Sequence, residues 1–208
     1  MTDEGNADRY LSVEDGPETE TRIQGSRFVG HAFRAESAAD ADARLTRIRR
    51  RLHDASHHCW AWRLGPPEAY DERSDDDGEP SGTAGAPMLA VLRGAELHDV
   101  LVVVTRWFGG TKLGKGGLIR AYSGAARDAL DAAPERVIWR ESTLTVGCEY
   151  EDVGAVEAVL ARSAADVRAC VRDFSDRPTF RITVLRSRLP GLVHALREAT
   201  AGRAALDA

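Results

Sequence analysis

The chain is short of most features that would assign it to a special class. Among 208 residues it has three cysteines, Cys59, Cys148 and Cys170. An odd number at wide spacing argues against a disulfide framework and fits a reducing compartment. No apolar run approaches the roughly 20 residues of a membrane helix. The opening "MTDEGNADRY" has no basic stretch followed by an apolar one. No secretory signal is read there, and a cytoplasmic protein without a membrane partner is expected. A surplus of positive charge is missing too, since the net charge is −5. What is present, 43% hydrophobic and 29% charged residues, suits a globular protein able to bury a core.

The charge is unevenly spread. Residues 1–20 hold seven acids and one base, so the rest of the chain is near neutral. Residues 71–79, "DERSDDDGE", hold six acids and one base. Residues 106–127 hold Arg106, Lys112, Lys115, Arg120 and Arg127 and no acid. A locally basic element of this kind suits phosphate contacts.

The acidic, apolar-poor segment 1–18 predicts a disordered tail. "RIQGSRFVGHAF" predicts a strand followed by an extended stretch. Ser37 reads as a helix N-cap, and Ala41, Leu45, Ile48 and Leu52 recur on one helical face. "HHCWAWRL" predicts a strand, and residues 65–87 a long loop rich in Gly, Pro, Ser and Asp. "MLAVLRGAEL" predicts a short helix. The unbroken apolar run Val100 to Val104 predicts a strand buried on both faces. From Gly117 the pattern is helical, with Leu118, Tyr122, Ala125 and Ala129 as its buried stripe. A domain boundary is expected near residues 133–138. Beyond it, β-α-β-β-α patterning over 139–208 predicts most of a ferredoxin-like unit.

Four segments invite chemical readings. Gly109 to Lys115 reads G-x-x-x-x-G-K, a P-loop without its final Ser or Thr. Gly116 stands where the Mg²⁺ ligand is needed, so nucleotide hydrolysis is not assigned. Gly109, Gly110, Gly114, Gly116 and Gly117 still permit a tight turn before a helix whose free N–H groups favour anions. "HDASH", His53 to His57, resembles a zinc-binding pair but lies where a helix ends and lacks a third ligand, so no metal is assigned. "DDDGEPSGT" fails the EF-hand register, because Arg73 and Ala84 occupy the first and twelfth positions. Cys59 beside His57 has the residue types of a thiol nucleophile, but a buried structural cysteine is the plainer expectation. No complete catalytic set emerges, so no catalytic residue and no cofactor is assigned.

Four segments in order, "SRFVGHAF", "ASHHCWAWRLG", "SDDDGEPSGTAGAP" and "VLVVVTRWFGGTKLGKGGLIRAYSGAA", closely resemble the IMPACT family. They span residues 23–127. Departures are small: Trp107 replaces the commoner Tyr, Lys115 sits where Ala is frequent, and one extra Asp precedes the usual pair. The resemblance implies an α+β protein. Residues 19–135 would form a left-handed βαβ domain like domain IV of elongation factor G, and 139–208 a ferredoxin-like βαββα domain. It also implies a link to translation, since eukaryotic members regulate translation by binding a partner protein.

The leading expectation is therefore a non-enzymatic, translation-linked binding module for RNA or ribosome-associated machinery. Arg106, Lys112, Lys115 and Arg120 would contact phosphates, and Trp107 or Phe108 would stack or pack beneath. The acidic loop would fold over this patch when no ligand is bound. The alternatives are a purely protein-binding regulator and an enzyme acting on a phosphate-containing substrate. In the latter, His57, Asp76, Asp77 and Glu79 would share a cleft with the glycine turn.

Overall fold

The computed structural model describes residues 8–208. Contacts divide the chain into two compact units: Tyr10–Ile138, and Trp139–Ala208 with the described residues Asp8 and Arg9.

The first unit is built on a five-stranded antiparallel sheet of order β2-β3-β6-β4-β5. Its strands are β2 (Thr19–Ile23), β3 (Ser26–Arg34), β4 (His57–Leu64), β5 (Asp71–Asp75) and β6 (Val100–Trp107). Helices α2 (Gly85–Gly94) and α3 (Gly114–Ala132) cover one face, and α1 (Ala38–Arg51) covers the other. This explains the apolar run in β6. Val100, Val102 and Val104 enter the core under α2 and α3, while Leu101 and Val103 enter the core under α1. The period-two alternation of a strand thus serves two cores at once.

The local signals act as read. Ser37 accepts a hydrogen bond from the Asp40 N–H at 3.2 Å, and Ala41, Leu45 and Ile48 are the buried residues of α1. In α3, Leu118, Tyr122, Ala125 and Ala129 are all buried. Three differences have physical reasons. The stretch 22–33 is a hairpin, because Gln24 and Gly25 adopt positive φ of 46° and 83° and turn the chain back. The long loop contains β5, an edge strand whose exposed acids disguise it as loop. Residues 1–7 of the expected disordered tail lie outside the described residues, but Arg9–Val13 form β1, which pairs with β7 (Glu135–Trp139). That strand is ordered by distant partners. Val13 is buried in the core beneath α2 and α3, and the Tyr10 hydroxyl donates to Asp99 Oδ2 at 2.5 Å.

The second unit runs β8 (Glu141–Gly147), α4 (Val153–Arg162), β9 (Val167–Asp173), β10 (Thr179–Leu185), α5 (Leu189–Ala199) and β11 (Ala205–Asp207). Its sheet has order β11-β8-β10-β9, with every neighbouring pair antiparallel. The short β11 completes the β-α-β-β-α-β pattern of a ferredoxin-like unit. Leu144, Val146, Phe180, Ile182 and Val184 from the strands meet Val156, Leu160, Leu192 and Leu196 from the helices. The protein is α+β throughout. Among the described residues no helix is long and apolar enough to cross a membrane.

His31 on β3 is 2% exposed, and burial holds its imidazole down at about pKa 4, from 6.5. Nearby Glu18 pulls it up; Arg51 and His58 push it further down. A histidine kept neutral by folding is protonated first in the unfolded chain. Its contribution is therefore complete above pH 6.5 and is lost as pH falls towards 4, a change of at most about 3 kcal/mol. The urea midpoint, followed by the fluorescence of Trp60 and Trp62, is expected to drop across that window, and His31→Phe to flatten the drop. A midpoint independent of pH there would contradict this account.

Candidate functional site

The acidic turn after β5 is organised from within. Asp76 accepts from the N–H groups of Gly82, Ala84 and Gly85 at 2.7, 2.9 and 2.8 Å. Burial tends to raise its pKa, but these three donors outweigh it and hold the carboxyl below the usual range. Asp77, at φ 43°, accepts from Arg49 of α1 at 2.7 Å and from the His58 N–H at 2.7 Å. Its carbonyl lies 2.8 Å from His57 Nδ1, which leaves His57 Nε2 as the nitrogen facing Glu79 at 3.8 Å. Both aspartates thus build the turn.

The turn delivers Glu79 to a buried node. Glu79 Oε1 accepts from Arg106 Nη1 at 2.5 Å and from the Tyr122 hydroxyl at 2.7 Å. Arg106 Nη2 also donates to Ser26 Oγ at 3.1 Å. The side chains of Arg106 and Glu79 are 5% and 4% exposed. Arg106 is therefore not a surface phosphate contact, contrary to the sequence expectation. It lies on the face of β6 that enters the core, and its charge is met inside. Burial first, then Cys59 and Glu79, push the Tyr122 phenol far above its ordinary value. Cys59 donates to the Asp76 carbonyl at 3.0 Å, and burial drives its thiol up, so it holds its proton and is no thiolate nucleophile.

The basic turn is divided by function. Lys112, Lys115 and Arg120 are exposed, as is Phe108 at 49%. Trp107 is half-buried, with the Arg27 guanidinium 4.4 Å over its ring; Phe108 is the more exposed aromatic, with the Arg106 guanidinium 5.5 Å from its ring centroid. Gly109 is not at the surface for a ligand's sake. A Cβ there would stand 1.9 Å from the Gly25 carbonyl carbon, because the turn rests on the β2–β3 hairpin. Its N–H donates to Ser26 Oγ at 3.2 Å. Gly110 and Gly114 have φ of 88° and 68° with open space beside them. Gly116 and Gly117 lie in the first turn of α3, which has no capping side chain and no acid. Its N–H groups are free for an anion.

The acidic loop does not cover these cations. Its ion pairs run to Arg73, Arg93, Arg63, Arg49 and Arg106. Among the described residues none reaches Lys112, Lys115 or Arg120, so the expected self-masking is not found. No cluster of three or more metal-ligating side chains occurs among the described residues. Tyr122 and Ser26 were not read as site residues. The signal for Tyr122 was a phenol on an apolar stripe, since a buried hydroxyl needs a partner.

Glu79→Gln leaves the Arg106 charge buried without a counter-ion and is expected to cost about 3–5 kcal/mol in urea unfolding. Adding Arg106→Met should recover part of the loss; a double variant as unstable as the sum of the singles would show that the charges do not compensate each other. Gly109→Ala is expected to lower the thermal midpoint sharply. Gly116→Ala, where a Cβ meets nothing nearer than Arg120 Nη1 at 3.5 Å, is expected to raise it. Equal effects of the two would refute the hairpin contact as the reason for Gly109.

A profile of the Impact N-terminal domain matches residues 24–130, which include the node and the basic turn. The IMPACT family member YvyE of Bacillus subtilis is 38% identical over 156 residues, covering 74% of this chain and 70% of its own. The IMPACT family member YigZ of Escherichia coli is 38% identical over 141 residues, covering 67% and 69%. The crystal structure of a protein described as hypothetical aligns over 97% of both chains, with a TM-score of 0.69 at 30% identity.

Proposed function

Because the chain belongs to the IMPACT family, we propose that it is a non-enzymatic, translation-linked binding protein that takes RNA phosphates on the turn between β6 and α3. The translational setting is the one implied by the resemblance of its four ordered segments. The observation that carries the RNA reading is the uncapped start of α3, with Lys112, Lys115 and Arg120 exposed around it. Cations and free N–H groups together favour a phosphate. Phe108 adds an exposed ring on which an unpaired base stacks. Single-stranded RNA suits this set better than duplex, since a stacking ring needs a splayed base. Beneath the surface, Glu79 and Arg106 neutralise each other, which keeps the cation field on the exposed side.

Filter binding or fluorescence anisotropy with a single-stranded oligoribonucleotide tests the reading. The affinity is expected to fall with salt. The Lys112→Ala/Lys115→Ala/Arg120→Ala variant should bind weakly and lose roughly two units of salt slope, at about 0.7 per phosphate contact. Unchanged affinity and slope in that variant would end the RNA proposal.

A further inference from the structure

We propose that the cleft between α1 and β3, on the sheet face opposite Glu79, is a binding site for a mononucleotide. The cleft has a volume of about 400 Å³, within the roughly 300–1,000 Å³ of small-ligand pockets. One wall is His31 and Phe33 of β3, another is α1, and the third is the segment 15–18. That third wall is fixed in place. The Gly16 N–H donates to the Ala32 carbonyl at 3.0 Å, and Asp15 Oδ1 accepts from the Arg34 N–H at 3.1 Å.

Three kinds of chemistry meet there. The first suits a planar ring with a polar edge. The His31 and Phe33 rings lie parallel, 7° apart with centroids at 5.8 Å, and Ile48 and Pro17 add apolar surface. His31 Nε2 is buried with no hydrogen-bond partner among the described residues, although nearly all buried polar atoms have one. Uncovered by a shift of the ring into the cleft, it would pair with a ring nitrogen or exocyclic group of a ligand. The second suits a phosphate. Arg44 is paired with Asp15 at 2.5 Å and with Asp40 at 3.1 Å, and Arg51 is paired with Glu18. Arg47 lines the same cleft, is exposed, and has no acidic partner among the described residues. An anion thus finds a cation without breaking an existing pair. The third suits hydroxyls. Asp15 and Glu18 are acceptors only when ionised, and each keeps lone pairs beyond its arginine contact. A ribose offers two adjacent hydroxyls to such carboxylates. Base, ribose and phosphate occur together in a nucleoside monophosphate, and no one of the three accounts for the whole lining.

The proposal does not depend on RNA binding at the basic turn, and the test separates the two. Isothermal titration of the full chain uses the four common ribonucleoside 5′-monophosphates, the matching nucleosides and inorganic phosphate. At least one monophosphate is expected to bind saturably. Its nucleoside and inorganic phosphate should each bind at least about ten-fold more weakly, since each forgoes one part of the lining. Arg47→Glu changes an exposed residue and is expected to weaken the monophosphate by about ten-fold or more while the fold survives. His31→Phe should weaken it too, with the base preference altered. The Lys112→Ala/Lys115→Ala/Arg120→Ala variant should bind it as the parent does. Absence of saturable binding overturns the proposal, as does phosphate alone binding equally well. Indifference to Arg47→Glu, or loss in the triple lysine and arginine variant, overturns it as well.

Discussion

Much of the first unit is arranged around the charge pair between Arg106 and Glu79. Placing two charges out of water is costly, and the pair is not required for a net gain in stability. Its effect is positional. Arg106 fixes the end of β6, Glu79 fixes the acidic turn, Tyr122 brings in α3, and Ser26 brings in the start of β3. Four segments distant in sequence therefore share one polar node, and each satisfies a group that another leaves buried. The direction in which the chain leaves β6, and hence where Lys112 and Lys115 emerge, follows from that arrangement.

The sheet above this node has no polar face to spare. β6 is apolar on both sides because α1 lies over one and α2 with α3 over the other. Ligand surfaces are consequently confined to edges and gaps. The basic turn lies where β6 runs out. The cleft at His31 lies where α1, carrying only Ala41, Leu45 and Ile48 into the core, does not cover β3 fully. The cleft belongs to one face of β3, and the core under α2 and α3 to the other. Phe28 and Ala32 look one way, and His31 and Phe33 the other.

Legibility in the sequence followed the range of the interactions. α1 was readable because Ser37 and the spacing of Ala41, Leu45 and Ile48 are local. The ferredoxin-like unit was readable because each element keeps a clear period. β1 was not, since Tyr10 finds its partner at Asp99, 89 residues on. β5 was hidden because an edge strand with exposed acids has the composition of a loop. In the site, the exposure of Lys112, Lys115 and Arg120 follows from a stretch free of acids. Arg106 belongs to the same stretch and misleads, because its counter-ion sits in a segment that reads as solvated. The glycines mislead similarly: Gly109 answers to the Gly25 backbone, which no spacing rule contains. The cleft at His31 needs three segments to converge, so composition gave no sign of it.

The contact between Gly25 and Gly109 is backbone against backbone. Nothing in it can flex by changing a rotamer, and no side chain can fill or relieve it. The hairpin turn is thus a fixed stop beneath the chain leaving β6. The two turns are consequently tied together: a side chain at either glycine would meet the other's backbone. Space opens beyond Gly109, where a Cβ at Gly110 or at Gly114 would meet nothing within 4 Å. That short interval, and not the glycine-rich stretch as a whole, is where the shape of the basic surface can be altered without disturbing the sheet.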